Sequence, residues 1–400
     1  MKIVQINSVP NGSTGSIMMN IHRKLKEKEH DSFVVWGRGR KSNDSSEICI
    51  NNKFDVYCHI LYSRLTGKTG FASKKSTKKL IKKLKTISPD VVHLHNIHGY
   101  YINIEMLFNY LRESKVKVIW TLHDCWPFTG HCSYFDLVNC YKWKERCYKC
   151  PQYKNYPKSF VDSSSWCFKK KKELFTGMDD LTIVTPSKWL AGLVNKSFLR
   201  DYKTIVINNG IDTNIFKKIN KKDLTFRDNY NLGEKKIILG VASPWSERKG
   251  LKDFIELSKI ISDDYKIVLV GLSKNQIETL PDNILGLERT NNVAELVDIY
   301  NSSNVFFNPT YEDNYPTTNL EALACGLSVI TYDTGGSPES AFLEENDIDV
   351  IKKNCNVVDN VSKAYDIIMK KNSMSKNFEA LINRDGMIDK YIELYLNNKK

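Results

Sequence analysis

PTYEDNYPTTNLEALACGLSVITYDTGGSPES, residues 309–340, decides how this chain is read. It follows Val305–Asn308, an apolar run that reads as a buried strand. A turn containing Pro309 and Pro316 comes next, then an apolar helix from about Thr317. A second strand at Ser328–Tyr332 closes on the pair Gly335–Gly336. In an open α/β sheet, ligands bind outside the carboxyl ends of the strands. A helix N-terminus at that place offers N–H groups and the positive end of a dipole to phosphate oxygens. The carboxylates Glu312, Asp313 and Glu321 flank this terminus. They repel phosphate but are suited to accept hydrogen bonds from sugar and ribose hydroxyls. The segment therefore reads as a nucleotide-sugar pocket, set against the plainer reading of surface acids at a helix start.

The same strand–helix rhythm extends in both directions. Ile3–Ile6, Phe33–Trp36, Val91–Leu94, Val116–Leu122 and Thr182–Val184 read as strands of a first set, and Thr204–Ile207 lies near the junction. Ile237–Val241, Ile267–Val270, Val305–Asn308 and Ser328–Tyr332 form a second set. Strands alternating with helices imply parallel sheets covered on both faces, so the expectation is α/β with two doubly wound domains. Between the second and third strands, SKKSTKKLIKKLK (residues 73–85) spaces Leu80, Ile81, Leu84 and Ile87 along one helical face and covers the rest with lysine. It suits a membrane surface or an ordinary place on the sheet. Residues 123–172, rich in Cys, Trp, Tyr and Pro, interrupt the rhythm as an insertion.

Charge is divided unevenly. Residues 1–200 carry 34 Lys and Arg against 16 Asp and Glu, a net of +18, whereas residues 201–400 carry 25 against 30, a net of −5. The basic half suits an anionic partner, or else reflects scattered solvated lysines. The N-terminus has no apolar signal-peptide region, and no run of 18 apolar residues occurs. The expectation is a cytoplasmic protein, peripheral on the inner face of the membrane. Without a secretory signal, disulfides are not expected.

Four further elements carry chemistry. In WSERKG (residues 245–250), Arg248 and Lys249 stand between a strand and a helix with Leu251, Phe254, Ile255 and Leu257 on one face. Adjacent cations there can neutralise a departing diphosphate. NGSTGSIM, residues 11–18, follows the first strand, and its glycines Gly12 and Gly15 let backbone N–H groups approach an anion. In TLHDCWPFTGHC, residues 121–132, His123 and Asp124 leave a strand's carboxyl end. His93, His95 and His98 end another strand and suit an acceptor pocket; the rings of His93 and His95 are expected to face apart. Finally, Cys132, Cys140, Cys147 and Cys150 follow C-x7-C-x6-C-x2-C, with His131 beside the first. This fits tetrahedral zinc, or reduced buried thiols without metal. Asp347-Ile348-Asp349 spells D-x-D but reads as loop. No G-x-G-x-x-G fingerprint occurs, which counts against a dehydrogenase.

The segment Tyr311–Gly326 resembles the donor motif of the family 4 glycosyltransferases, retaining enzymes of the GT-B fold. That motif sets two glutamates with seven residues between them, the second within E-A-x-A-x-G. Here the second is Glu321 in EALACG and the first is Asp313 rather than Glu, in an E-D-N-x-P variant. The resemblance implies that Asp313 and Asn314 contact the donor sugar, Glu321 the ribose, and Arg248 and Lys249 the diphosphate. Lys249-Gly250 matches the family's K-G. The family Arg falls where this chain has Pro244, so Arg248 stands in for it. The resemblance further implies that Gly15 lies under the donor phosphates and that His123 sits near the reacting centre. The subset of the family with TGHC and CxxCP has a four-cysteine cluster, read as a structural zinc staple.

On this resemblance residues 1–205 bind the acceptor and 206–384 the donor, with the interdomain cleft between them and a helix at 385–400 crossing back. The expected activity is hexosyl transfer (EC 2.4) with retention, from a nucleotide-diphosphate sugar to a glycan or lipid-diphosphate-linked acceptor, in surface-polysaccharide or O-antigen-like biosynthesis. No catalytic metal and no nucleic acid are expected. Two alternatives stay open: a nucleotide-sugar epimerase of the same fold, and a zinc-stapled nucleic-acid binder.

Overall fold

In the computed structural model, residues 1–342, 349–354, 356–370 and 379–397 are described. They divide into two compact units, Met1–Asn208 with the residues from Ile388 onward, and Asn209–Met387. In the first unit β1 (Lys2–Asn7), β2 (Asp31–Trp36), β3 (Glu47–Cys49), β4 (Val91–Leu94), β5 (Lys117–Thr121), β6 (Leu181–Thr185) and β7 (Lys203–Val206) form one sheet in the order β3-β2-β1-β4-β5-β6-β7. Every neighbouring pair is parallel. All four residues of β4 are buried, as a strand covered on both faces requires.

Helices α1 (Gly12–Glu27), α2 (Lys53–Thr66), α3 (Lys74–Ile87), α4 (Ile104–Ser114), α5 (Ser164–Phe175) and α6 (Lys188–Val194) make the connections. The basic helix is α3, with Leu80 and Leu84 fully buried; each contributes about 1.5–3 kcal/mol of apolar burial. It does not directly follow the second strand, because β3 and α2 come first. The glycines of residues 11–18 stand at the start of a helix: Asn11 is the N-cap and Gly12 opens α1. Gly15 is required there, since a Cβ would meet the Pro10 carbonyl carbon at 2.5 Å.

The second unit carries β8 (Lys236–Val241), β9 (Tyr265–Val270), β10 (Ile284–Leu287), β11 (Val305–Asn308), β12 (Ser328–Tyr332) and β13 (Val350–Ile351), ordered β10-β9-β8-β11-β12-β13 and again parallel. β3, β10 and β13 were not foreseen. Of the D-x-D, Asp347 and Ile348 lie outside the described residues, and Asp349 is buried just before β13.

The C-terminal helix, Arg384–Leu396, is held by each unit in turn. Arg384 pairs with Asp212 at 2.7 Å in the second. In the first, Tyr391 and Tyr395 are buried: Tyr395 Oη lies 2.7 Å from His93 Nδ1, and Tyr391 Oη lies 3.1 Å from Thr121 Oγ1. Lys117 Nζ donates to the carbonyls of Leu394, Tyr395 and Asn397, satisfying acceptors that a helix end leaves open.

Candidate functional site

The strand order of the second unit reverses between β8 and β11, and the two segments leaving those strands meet there. This is the place where doubly wound sheets bind ligands. Glu247–Lys249 form one 3-10 turn after β8, closed by Gly250 at φ +76°. A Cβ on Gly250 would meet the Pro309 carbonyl oxygen at 2.3 Å, so only glycine allows the two loops to touch. The Tyr311 amide donates to the Arg248 carbonyl at 2.8 Å. Arg248 Nη1 donates to the Glu312 carbonyl, and Lys249 Nζ is paired with Asp313 Oδ2.

Asp313 is fixed from the other side as well. Its Oδ1 accepts the Asn314 amide at 2.9 Å, and its carbonyl accepts the Gly336 amide at 3.2 Å. Gly335 has φ +60°, and a Cβ on it would lie 1.9 Å from the same carbonyl. The two glycines after β12 therefore seat the Asp313 loop. Beneath it Asp253, buried in the helix Leu251–Leu257, accepts the hydroxyls of Tyr311 at 3.0 Å and Tyr332 at 2.5 Å. Burial pushes its carboxyl up to about 6 despite both phenols.

The helix Thr317–Ala324 begins right after this loop. Glu321 does not open it but stands one turn in, partly buried, and accepts the Tyr300 hydroxyl at 3.0 Å. Burial pushes its carboxyl up to about 7. Asn319 Nδ2 donates to the Ser337 carbonyl at 3.1 Å and to Ser340 Oγ at 2.9 Å, binding this helix to the turn after β12. Lys249, Arg248, Asp313 and Asn314 are thus one bonded assembly, and Glu321 is held separately by Tyr300.

In the first unit the order reverses between β1 and β4. Asn7 Oδ1 accepts the amides of Ser8 at 2.9 Å and Asn96 at 3.2 Å, tying the two strand exits together. The N-terminus of α1 lies at this junction with no acid in its first turn, and Gly15 belongs to it. His123, two residues beyond β5, is partly buried with Nε2 at 3.2 Å from His95 Nδ1, the two rings stacked. The rings of His93 and His95 do not face apart: their centroids are 4.0 Å from each other. Residues two apart on a strand share a face. Burial lowers His93 to about 3 and His123 to about 4, and His95 well below its ordinary value, so all three rings are neutral at pH 7. His98 Nε2 bonds Asp124 Oδ2 at 2.8 Å. Arg38, at the exit of β2, has an enclosed Nε with no hydrogen-bond partner among the described residues.

The insertion folds around its own aromatics: the ring centroids of Phe128 and Phe135 each lie 5.0 Å from that of Trp143, tilted against it. Lys171 reaches in from α5, donates to the Trp126 carbonyl at 2.7 Å and the Thr129 carbonyl at 3.1 Å, and lies 3.4 Å over the Trp126 ring. Cys132, Cys140, Cys147 and Cys150 all line one cavity of about 20 Å³, room for a single small ion. Cys147 Sγ accepts the Gly130 amide at 3.2 Å. Among the described residues, no three or more His, Cys, Asp or Glu side chains are grouped so as to hold a metal ion as they stand.

Residues 14–215 match the family model Glycosyltransferase Family 4, and residues 222–380 match Glycosyl transferases group 1. The chain belongs to glycosyltransferase family 4. It is 28% identical over 227 residues to an Escherichia coli protein described as a colanic acid biosynthesis glycosyl transferase, WcaC, covering 53% of this chain and 55% of that one. It is 30% identical over 135 residues to the N,N'-diacetylbacillosaminyl-diphospho-undecaprenol alpha-1,3-N-acetylgalactosaminyltransferase of Campylobacter jejuni, covering 32% and 34%. The matches thus span about half or less of these curated relatives. The fold is that of the GT-B glycosyltransferases. Anabaena HepE in complex with UDP-glucose superposes with a TM-score of 0.62 at 11% identity, over 98% of this chain and 99% of that one.

Several site residues of this family member were missed from sequence. Tyr300, Asp253 and Lys171 lie far along the chain from the groups they hold, and no local pattern marks them. Arg38 had a signal: GRGR, residues 37–40, directly follows a strand.

Proposed function

We propose that this chain transfers a sugar from a nucleoside-diphosphate sugar to a glycan acceptor linked to a lipid diphosphate, with retention, in the building of a surface polysaccharide. The observation that carries the reading is the Lys249–Asp313 pair, placed with Arg248 at the β8/β11 reversal beside the start of the helix Thr317–Ala324. The two relatives support it, since one is described as acting in polysaccharide biosynthesis and the other carries a diphospho-undecaprenol acceptor in its name.

The residues divide the work by charge. Lys249 and Arg248 take the diphosphate, and the helix N-terminus adds its amides. As the bond from the anomeric carbon to the β-phosphate oxygen breaks, negative charge grows on that oxygen, where fixed cations stabilise it most. The acceptor hydroxyl attacks the same face, and its proton passes to the departing phosphate oxygen. Asp313, with Asn314, accepts from the sugar hydroxyls while orienting Lys249, and Glu321 accepts from the ribose. Neutral His123 serves as a hydrogen-bonding wall on the acceptor side, and in the same unit the N-terminus of α1 with Gly15 offers amides to an anion.

A panel of nucleotide sugars tests this. One member, and its nucleoside diphosphate, is expected to raise the melting temperature in proportion to its concentration over Kd. If none does, the donor reading fails. Turnover of donor without any acceptor would instead favour an epimerase.

We also propose that the four thiols hold a structural zinc. The shared cavity, the Gly130 amide on Cys147 and the buried ammonium of Lys171 all suit a tetrathiolate carrying two net negative charges. Protein purified without chelator should contain about one zinc per chain. Cys147→Ser with Cys150→Ser should remove the metal and lower the melting temperature; a metal-free wild type overturns the proposal.

A further inference from the structure

Helix α2 is built inside out. Its two fully buried residues are polar, although Tyr62 packs on the core: Ser63 is enclosed, and His59 bonds Ser73 Oγ at 2.7 Å and accepts the Gly70 amide at 3.3 Å. Its open side is apolar, with Phe54 73%, Tyr57 66%, Leu61 46% and Leu65 57% exposed. These positions recur at three- and four-residue steps, so they form one stripe. The stripe continues onto Phe160 and Val161, 61% and 48% exposed, whose segment is pinned to α2 by the Phe160 amide on the Arg64 carbonyl at 2.8 Å. Gly67 permits that approach, because a Cβ there would meet the Val161 carbonyl oxygen at 2.5 Å. The helix is firmly capped, by Asn52 on the Asp55 amide and by Gly67 at φ +67°. Its apolar side is therefore a fixed surface and not a frayed segment.

Charge indicates what covers it. Lys53 and Arg64 are the charged residues on the open side of α2, and the one acid of the helix, Asp55, is turned in against Ser76. Residues 51–90 hold ten Lys and Arg against two Asp. Seven of those lysines are exposed on α3, which begins where α2 bonds Ser73 and Ser76. An apolar stripe rimmed by cations, with Asp162 beside Val161 already bonded to the Cys150 and Ser164 amides, matches the interface of an anionic bilayer, where the rings and leucines enter the acyl boundary and each nearby cation adds attraction. Another protein surface would leave these cations opposite one another or in need of a matching acidic patch.

We propose that the open face of α2, with Phe160 and Val161, docks this glycosyltransferase on an anionic lipid bilayer. The proposal deepens the reading of a lipid-linked acceptor. Through His59, whose ring stands 5.9 Å from that of Tyr100 after β4, the stripe adjoins the carboxyl edge of the first sheet. Docking would bring that edge to the headgroups. Among the described residues, no helix is long and apolar enough to cross a membrane, so attachment through this face would be reversible.

The test is co-sedimentation of the full chain with phosphatidylcholine vesicles, with and without phosphatidylglycerol, in the absence of donor and acceptor. Binding can therefore fail or succeed independently of the transfer reaction. The wild type should bind the anionic vesicles and hardly the neutral ones, with salt weakening the binding. Leu61→Glu with Leu65→Glu should cut partitioning at least tenfold while leaving the melting temperature and the nucleoside-diphosphate shift unchanged. Lys74→Gln with Lys75→Gln should weaken binding to anionic vesicles alone. Equal binding by wild type and the Leu61/Leu65 variant overturns the proposal. So does a wild type that ignores vesicles and forms a dimer that this variant dissociates.

Discussion

Lys249→Ala is expected to lower kcat about 10²–10³-fold, the usual consequence of removing one preorganised group from a site of developing charge. The lysine does two things at once. In the proposed reaction it meets the diphosphate, and it holds Asp313 in place through their ion pair. Alanine removes the cation and leaves the carboxylate beside a loop that Gly250 and Gly335 keep tightly packed. Lys249→Arg keeps the charge but not its point geometry, and should fall between the two. Steady-state kinetics with the donor found in the panel separates the contributions. A loss confined to kcat and kcat/KM marks an interaction made in the transition state, whereas a rise in KM alone would assign Lys249 to ground-state binding and sink its leaving-group role.

Glu321→Gln should move stability and activity in opposite directions. The carboxyl ionises near 4.5 in an unfolded chain and near 7 in the fold, where burial disfavours its charge. The folded state thus holds the extra proton between those values, and stability falls as pH rises through that window. Discounted for the solvent that still reaches the side chain, the loss is about 1–2 kcal/mol. Glutamine keeps the bond to Tyr300 and has nothing to ionise, so its melting temperature should exceed that of the wild type at pH 8 and match it at pH 4. Donor affinity should meanwhile drop about 10- to 100-fold, because a charged acceptor of ribose hydroxyls is lost. Equal pH–stability curves for the two proteins would show that Glu321 is not held in this way.

The segment 309–340 was legible because its punctuation is chemical: Pro316 stops one element, and Gly335 sits where no other residue fits. Strands of β-branched residues flanked by turns were equally plain. β3 and β13 were too short to show periodicity, and β10 is interrupted by Gly286. Helix α2 went unread for a different reason. Sequence patterning assumes that apolar residues face inward, and α2 turns Phe54, Tyr57, Leu61 and Leu65 to solvent. Glu321 and Asp313 could be picked out, but their partners could not. Tyr300 lies 21 residues from Glu321, and Lys249 lies 64 from Asp313; such pairings are properties of topology. The histidines show the same limit. His93 resembled a pocket residue in sequence, yet its ring is spent on Tyr395, 302 positions away.

That last bond bears on the order in which the molecule is made. The first unit emerges from the ribosome with the niche for Tyr391 and Tyr395 still empty, exposing His93, Thr121 and the tail of Lys117. The stretch from Asn208 to Ile388 takes on the order of 10–40 s to synthesise. Throughout that time the N-terminal unit must wait unfinished while the C-terminal unit is synthesised behind it. The first unit to emerge is therefore the last to be completed, and a nascent chain that stalls before Tyr391 yields a protein whose first half never closes.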